Sequence, residues 1–277
     1  MVLFPNCKIN LGLNIISKRT DGYHNLETVF LPIPLCDALE ITRAETSQHP
    51  IKFTSVGLPI AGEEQHNLCV KAYWLLKNDF PQLPAVNMCL LKAIPMGAGL
   101  GGGSADGAFA LLALNNKFRL GIPQARLVDY ALRLGSDCPF FIINKPCFAH
   151  MRGEALEEIT INTTGYKLLL VNPGIHIGTG WAFSQIKPQQ PQKSIRQIIN
   201  QPMATWKDEL VNDFEAPVIM QTPVLGQLKS SLYAMGAVYA SMSGSGSSFF
   251  GIFANQTPIN TSVFPAEYLV REISLKS

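Results

Sequence analysis

The sequence predicts an α+β fold in two packed layers. Three observations predict it. Residues 7–15 alternate, with Cys7, Ile9, Leu11, Leu13 and Ile15 separated by Lys8, Asn10, Gly12 and Asn14, which is the period of a strand. Leu127, Val128, Ala131 and Leu134 recur at helical spacing instead. Strand-like and helix-like stretches are mixed, without repeats and without the regular strand–helix alternation that builds a parallel sheet.

The elements follow in order. Residues 29–41 and 51–56 read as strands, the first interrupted by Pro32 and Pro34. Residues 67–78 read as a helix whose buried stripe is marked by Leu68, Lys71-Ala72 and Leu75-Leu76. Residues 86–94 are strand-like and feed a glycine-rich stretch, after which Ser104 starts a helix. Pro123 suits the first turn of the next helix and Gly135 its C-cap. Ser136-Asp137-Cys138-Pro139 reads as a tight turn into an apolar strand over 140–143. Past Arg152 the texture changes, so the expected domains are 1–152 and 153–277. Residues 166–171 are a buried strand and Asn172-Pro173-Gly174 a turn. Residues 187–202, rich in Gln and Pro, read as a surface loop with a short helix, or as a lid. Residues 225–235 look helical, and residues 236–253 look like two strands around a Gly-Ser turn.

Composition narrows the function classes. The chain has 277 residues, 47% hydrophobic and 15% charged, which is core-rich and unlike a disordered segment. A net charge of +2 is too small for a nucleic-acid or membrane surface. No run of 18 apolar residues occurs, and the start, MVLFPNCKIN, lacks the charged and apolar regions of a signal peptide. Six cysteines without a CxxC pair suit buried, reduced thiols, so a cytoplasmic protein is expected. Five histidines show neither HxxxH nor HExxH spacing, which argues against zinc.

Six of the eleven residues 97–107 are glycine. Glycine costs backbone entropy and packs nothing, so a cluster between a strand and a helix implies a use. Such a turn lets backbone N–H groups converge on an anion, with the helix N-terminus adding partial positive charge. The stretch 95–108 therefore reads as a polyphosphate cradle. Gly97-Ala98-Gly99-Leu100-Gly101-Gly102 matches GxGxxG, but residues 115–125 lack the acidic residue that a dinucleotide fold places there. No Lys follows the glycines until Lys117, which is too late for a Walker A loop. HRD and DFG elements are missing, since Asp213-Phe214-Glu215 ends in Glu. A helix-packing turn needs two or three glycines rather than six.

A fourth pattern fits. Pro95 followed by GLGGGSA resembles the second motif of the GHMP kinases. Pro5-Asn6-Cys7-Lys8-Ile9-Asn10-Leu11 resembles their first motif, and Ser241-Met242-Ser243-Gly244-Ser245-Gly246-Ser247-Ser248 their third. The segment 19–28, RTDGYHNLET, resembles the signature of one family among them, the 4-diphosphocytidyl-2-C-methyl-D-erythritol kinases. The resemblance implies a ribosomal protein S5 domain 2-like N-terminal domain carrying nucleotide and catalysis, and a ferredoxin-like C-terminal domain. It implies ATP-dependent phosphorylation of the 2-hydroxyl of a cytidine diphosphate-linked polyol, in the non-mevalonate route to isoprenoids.

Moving a phosphoryl group requires holding the triphosphate, orienting the acceptor hydroxyl and neutralising charge that shifts. The cradle, Pro95, Met96, Gly97, Ala98, Gly99, Leu100, Gly101, Gly102, Gly103, Ser104 and Ala105, supplies the first. Lys8 on its strand has a solvated face as its plain alternative, and Asp137 an ordinary turn. The resemblance assigns Lys8 and Asp137 to catalysis. It assigns Asn67 and Lys92 to adenosine, Asn10 and Thr179 to the polyol, and Tyr23, His24 and Phe183 to the cytosine. Mg²⁺ is expected to bridge phosphate oxygens. No Glu lies between Ser104 and Gly153, so phosphates, water and Ser104 are expected to hold the ion. Ala105 stands where many relatives have a second Ser. The expected partners are small molecules only, with neither nucleic acid nor membrane.

Overall fold

The computed structural model describes residues 1–44 and 49–275. Its strands are β1 (Val2–Leu3), β2 (Asn6–Lys18), β3 (His24–Cys36), β4 (Ala38–Arg43), β5 (Ile51–Gly57), β6 (Val86–Lys92), β7 (Cys147–Met151), β8 (Ala155–Glu158), β9 (Tyr166–Asn172), β10 (Tyr239–Met242), β11 (Phe249–Ala254) and β12 (Leu269–Ser274). Its α-helices are α1 (Leu68–Asp79), α2 (Gly102–Phe118), α3 (Gln124–Leu134), α4 (Cys138–Ile143), α5 (Thr179–Ser184), α6 (Ile195–Ile199), α7 (Trp206–Glu209), α8 (Glu215–Gln221) and α9 (Pro223–Ala234). Two compact units interleave along the chain. One holds Met1–Cys7, Pro34–Met96 and Gly101–Lys145; the other holds Lys8–Ile33, Gly97–Leu100 and Pro146–Ser277.

In the first unit the sheet order is β1-β4-β6-β5, with β5 and β6 parallel and the other neighbours antiparallel. Helix α1 starts where Asn67 caps it, its side chain accepting the Cys69 N–H at 2.9 Å. Helix α2 begins at Gly102, two residues before the expected Ser104. The reason is Gly101, whose left-handed conformation (φ 70) turns the chain into the first helical turn. The expected strand over 140–143 is instead α4. Its buried Phe140, Phe141 and Ile142 are as apolar as a core strand, and a short apolar run carries no period to tell the two apart. Pro139 stands in its first turn, where the missing N–H removes no helical bond.

The second unit has two sheets, β2-β3-β7-β8 and β10-β11-β9-β12. The second sheet is antiparallel throughout. Counted from β9 its spatial order is 4-1-3-2, the order of a ferredoxin-like sheet, with the second crossover reduced to a short 3₁₀ turn at Thr261–Val263. Leu13, Ile15, Leu169, Val171, Val218, Leu225, Phe249 and Phe253 share one core. Strand β3 runs on through Pro32 and Pro34, where an interruption was expected. Its ladder to β7 ends at Phe30, so on that side neither proline removes a bond. The Gln- and Pro-rich segment holds α6, opened by a capping box between Ser194 and Gln197. The buried Glu27 carboxylate accepts from Ser194 Oγ and the Ile195 N–H, both at 2.8 Å, and ties that helix to β3.

Candidate active site

Alternation on β2 puts Lys8 and Asn10 on one face, and the second unit gathers three separated motifs around them. Lys8 Nζ donates to Asn10 Oδ1 at 2.6 Å and to the Gly99 carbonyl at 3.1 Å, and lies 5.0 Å from the centroid of the Phe30 ring. Lys8 is 3% exposed, so the solvated-face alternative does not hold. Ser243 Oγ donates to the same Gly99 carbonyl at 2.8 Å and accepts the Asn10 N–H at 3.2 Å. Asn10 Nδ2 donates to Thr28 Oγ1 at 2.9 Å, whose hydroxyl donates to the Gly12 carbonyl at 2.6 Å. The loop is stitched in further by Lys8 N–H to Leu100 O at 3.0 Å and Ser248 N–H to Ala98 O at 3.2 Å. Gly99 has φ 77, and a Cβ there would overlap the Ser243 carbonyl, so no other residue fits.

The residues that the resemblance assigns to the substrate lie in the same unit. His24 and Phe183 stack at 5.0 Å and 20°, and Phe183 meets Phe214 edge-on at 4.9 Å. A base needs about 7 Å between two rings, so it would meet an outer face of this pair, not its gap. Burial, with the Lys18 charge adding to it, holds the His24 imidazole below its usual range, hence neutral at pH 7 with one donor and one acceptor nitrogen. Tyr23 is 55% exposed, and its N–H is held by Asp21 Oδ1 at 3.1 Å. Thr179 opens α5 and its hydroxyl lies 3.2 Å from Ser245 Oγ.

The first unit holds the rest. The N–H groups of Gly102, Gly103 and Ser104 precede the first helical bond of α2, which runs from the Ala105 N–H to Gly101 O at 2.9 Å. Met96, 44% exposed, has its Cε 3.2 Å from where a Gly103 Cβ would stand. Asp137 directly precedes α4 without capping it. The next residue, Cys138, is buried, and burial pushes its thiol up to about 12. Lys92 is 1% exposed, with its ammonium between Asp37 and Asp106 Oδ2, the latter at 2.8 Å. An ammonium so enclosed has no surface for adenosine, which corrects the direct contact expected of Lys92.

Comparison with known proteins agrees with this arrangement. The family models for the GHMP kinases N terminal domain and the GHMP kinases C terminal match residues 67–145 and 192–261. A 4-diphosphocytidyl-2-C-methyl-D-erythritol kinase of Bacteroides fragilis is 52% identical over 268 residues, 97% of either chain. The chain belongs to the GHMP kinases. A crystal structure of a 4-(cytidine 5'-diphospho)-2C-methyl-D-erythritol kinase superposes with TM-score 0.78 at 30% identity, covering 91% of this kinase and 89% of that chain. Methanococcus jannaschii mevalonate kinase shares the fold alone, with TM-score 0.69 at 12% identity over 93% of this kinase and 92% of that chain.

Supports of the site went unread in the sequence. Asn212 Nδ2 donates to Met242 O and Gly244 O, both at 2.8 Å, and fixes the chain on either side of Ser243. Asp37 accepts the N–H groups of Ala93 and Ile94 at 2.6 and 2.8 Å, at the end of β6 that leads to the glycine loop. Neither residue lies in a motif. The nearest signal was polarity beside apolar runs, which surface residues share. Among the described residues no group of three or more His, Cys, Asp or Glu is placed to hold a metal ion, and no helix is long and apolar enough to cross a membrane.

Proposed function

We propose that this kinase transfers the γ-phosphoryl group of ATP to the 2-hydroxyl of 4-diphosphocytidyl-2-C-methyl-D-erythritol, giving the 2-phosphate and ADP. It would serve the non-mevalonate route to isoprenoid precursors, in the cytoplasm, with small molecules as its only partners. The observation that carries the reading is the 52% identity to an enzyme of that name across 97% of the chain.

In this reading residues 1–152 carry nucleotide and catalysis, and residues 153–277 lie on the substrate side. Backbone amides of residues 95–105 hold the triphosphate, helped by the N-terminal dipole of α2. Lys8 serves as the ammonium partner that orients Asp137. Asp137 accepts the proton of the substrate hydroxyl as that oxygen attacks the γ-phosphorus. Asn67 touches adenosine, while Lys92 supports that side from within. Asn10 and Thr179 hold the polyol, and Tyr23, His24 and Phe183 the cytosine. The Ser104 hydroxyl in the first turn of α2 is a hard oxygen that fits Mg²⁺, with phosphates and water completing its shell. Held there, Mg²⁺ would offset the charge of the phosphates.

Purified protein with ATP and Mg²⁺ is offered the cytidyl substrate, mevalonate, homoserine and galactose separately. Turnover of the cytidyl substrate alone is expected. Preference for another acceptor would place the chain elsewhere among the GHMP kinases, and inactivity with all four would make it a nucleotide sensor.

A further inference from the structure

Arg152 has no role in the transfer proposed above, yet the second unit fixes where its guanidinium sits. The turn from β7 to β8 holds Met151 in the left-handed region at φ 62, which a side chain of that size rarely adopts, and closes with the Gly153 N–H on His150 O at 3.1 Å. The Glu154 carboxylate then grips Arg152 twice: Oε2 accepts its backbone N–H at 2.7 Å and Oε1 its Nε at 3.1 Å. So held, the guanidinium carbon stands 4.9 Å from the centroid of the Tyr23 ring. The backbone of Tyr23 is fixed from both sides, its N–H on Asp21 Oδ1 at 3.1 Å and its carbonyl accepting the Arg19 N–H at 2.8 Å. Its ring is the exposed part, and an exposed tyrosine ring samples several rotamers unless something covers a face.

We infer that Arg152 is a positioning residue for nucleobase recognition: it backs one face of Tyr23 and holds the ring ready to stack on the base of a cytidine diphosphate-linked substrate. The inference rests on the proposed function, which brings the base to Tyr23. Pre-ordering a ring lowers the entropy lost on binding and leaves the transfer step alone.

Arg152→Met keeps the length of the side chain and removes the flat cation. It is expected to raise KM for the cytidyl substrate about five-fold, the size of a cation–π contact, with kcat and KM for ATP within about two-fold. Calorimetry with cytidine 5'-diphosphate should show the same weakening. In a Tyr23→Ala background Arg152→Met should change neither measurement, because its partner is gone. Glu154→Gln, which loosens the grip without touching Arg152, should move KM the same way by a smaller factor. Unchanged KM and diphosphate affinity in Arg152→Met overturn the inference, and so do effects that multiply in full with Tyr23→Ala. If the wild-type protein ignores the polyol substrate but binds cytidine 5'-diphosphate with this dependence on Arg152, the proposed reaction fails and the inference stands.

Discussion

Lys8 is the residue on which the three motifs turn. Its ammonium meets Asn10 Oδ1, the Gly99 carbonyl and the face of Phe30, so one side chain joins the first motif to the second, and Ser243 brings the third to the same carbonyl. Two roles compete for it: partner of Asp137 during proton removal, or anchor for a phosphate. They differ in what its loss does. As a partner, Lys8→Ala lowers kcat by about 10²-fold or more while KM for ATP stays within a few-fold. As an anchor it does the reverse. Asp137→Asn keeps the shape of the Asp137 turn and removes the proposed proton acceptor, so kcat should fall by about 10²- to 10⁴-fold with ATP affinity retained. Steady-state kinetics with isotope-labelled ATP checks both, and near-normal turnover by the Asn variant would end the general-base role. The sequence pattern placed Lys8 on a strand and the glycines in a turn, because a strand's alternation and a Gly-rich stretch are local signals. Lys92 misled because a lysine at a strand end looks the same whether it faces a ligand or two buried carboxylates.

At the scale of elements, the glycine loop is shaped by what it must pass. Replacing Gly99 with Ala adds a methyl where the Ser243 carbonyl already stands, on a backbone at φ 77. Gly22 has a similar φ of 86 but open space around it. Gly22→Ala should therefore cost only the left-handed penalty, roughly 1–2 kcal/mol. Gly99→Ala should cost that and shift the loop, lowering Tm further and raising KM for ATP about ten-fold or more. Thermal melts and ATP kinetics on the two variants separate strain from overlap; equal Tm losses would mean that the Ser243 approach does not constrain the loop. Elements with a clear period or cap were legible: β2, α1, α3 and the paired strands β10 and β11. Helix α4 was not, since six residues, five of them buried, show no polar face to mark a period. The Ser194–Gln197 capping box was written in the sequence and marks α6 in the stretch read as a loop with a short helix or as a lid.

At the scale of the molecule, chain order hides the interleaving of the two units: Lys8–Ile33 and Gly97–Leu100 belong with Pro146–Ser277 because of pairings tens to hundreds of residues apart, which local patterns do not encode. The buried group at Lys92 is equally non-local and gives stability a pH dependence of definite sign. Asp37 spends its oxygens on two backbone N–H groups and Lys92. Asp106 Oδ2 accepts from Lys92, and among the described residues Oδ1 is buried without a hydrogen-bond partner. Burial above all raises the Asp106 carboxyl from 3.8 to about 7, with Lys92 pulling it down and Asp37 pushing it up. The folded chain thus holds this proton where the unfolded chain has released it. Its contribution to stability is full below about pH 4, shrinks as pH rises, and is gone above about 7. The Lys92 ammonium, raised by the Asp106 and Asp37 charges against burial, adds stability that is lost only in alkali. Asp106→Asn keeps an acceptor for Lys92 and cannot ionise, and Asp37 still balances the ammonium. Wild type should lose on the order of 2–4 kcal/mol between pH 5 and 8 relative to this variant, a shift of several degrees in Tm. Denaturation curves that run parallel across that window would show the carboxyl ionised throughout, and the burial of Asp106 would then be balanced by Lys92 alone.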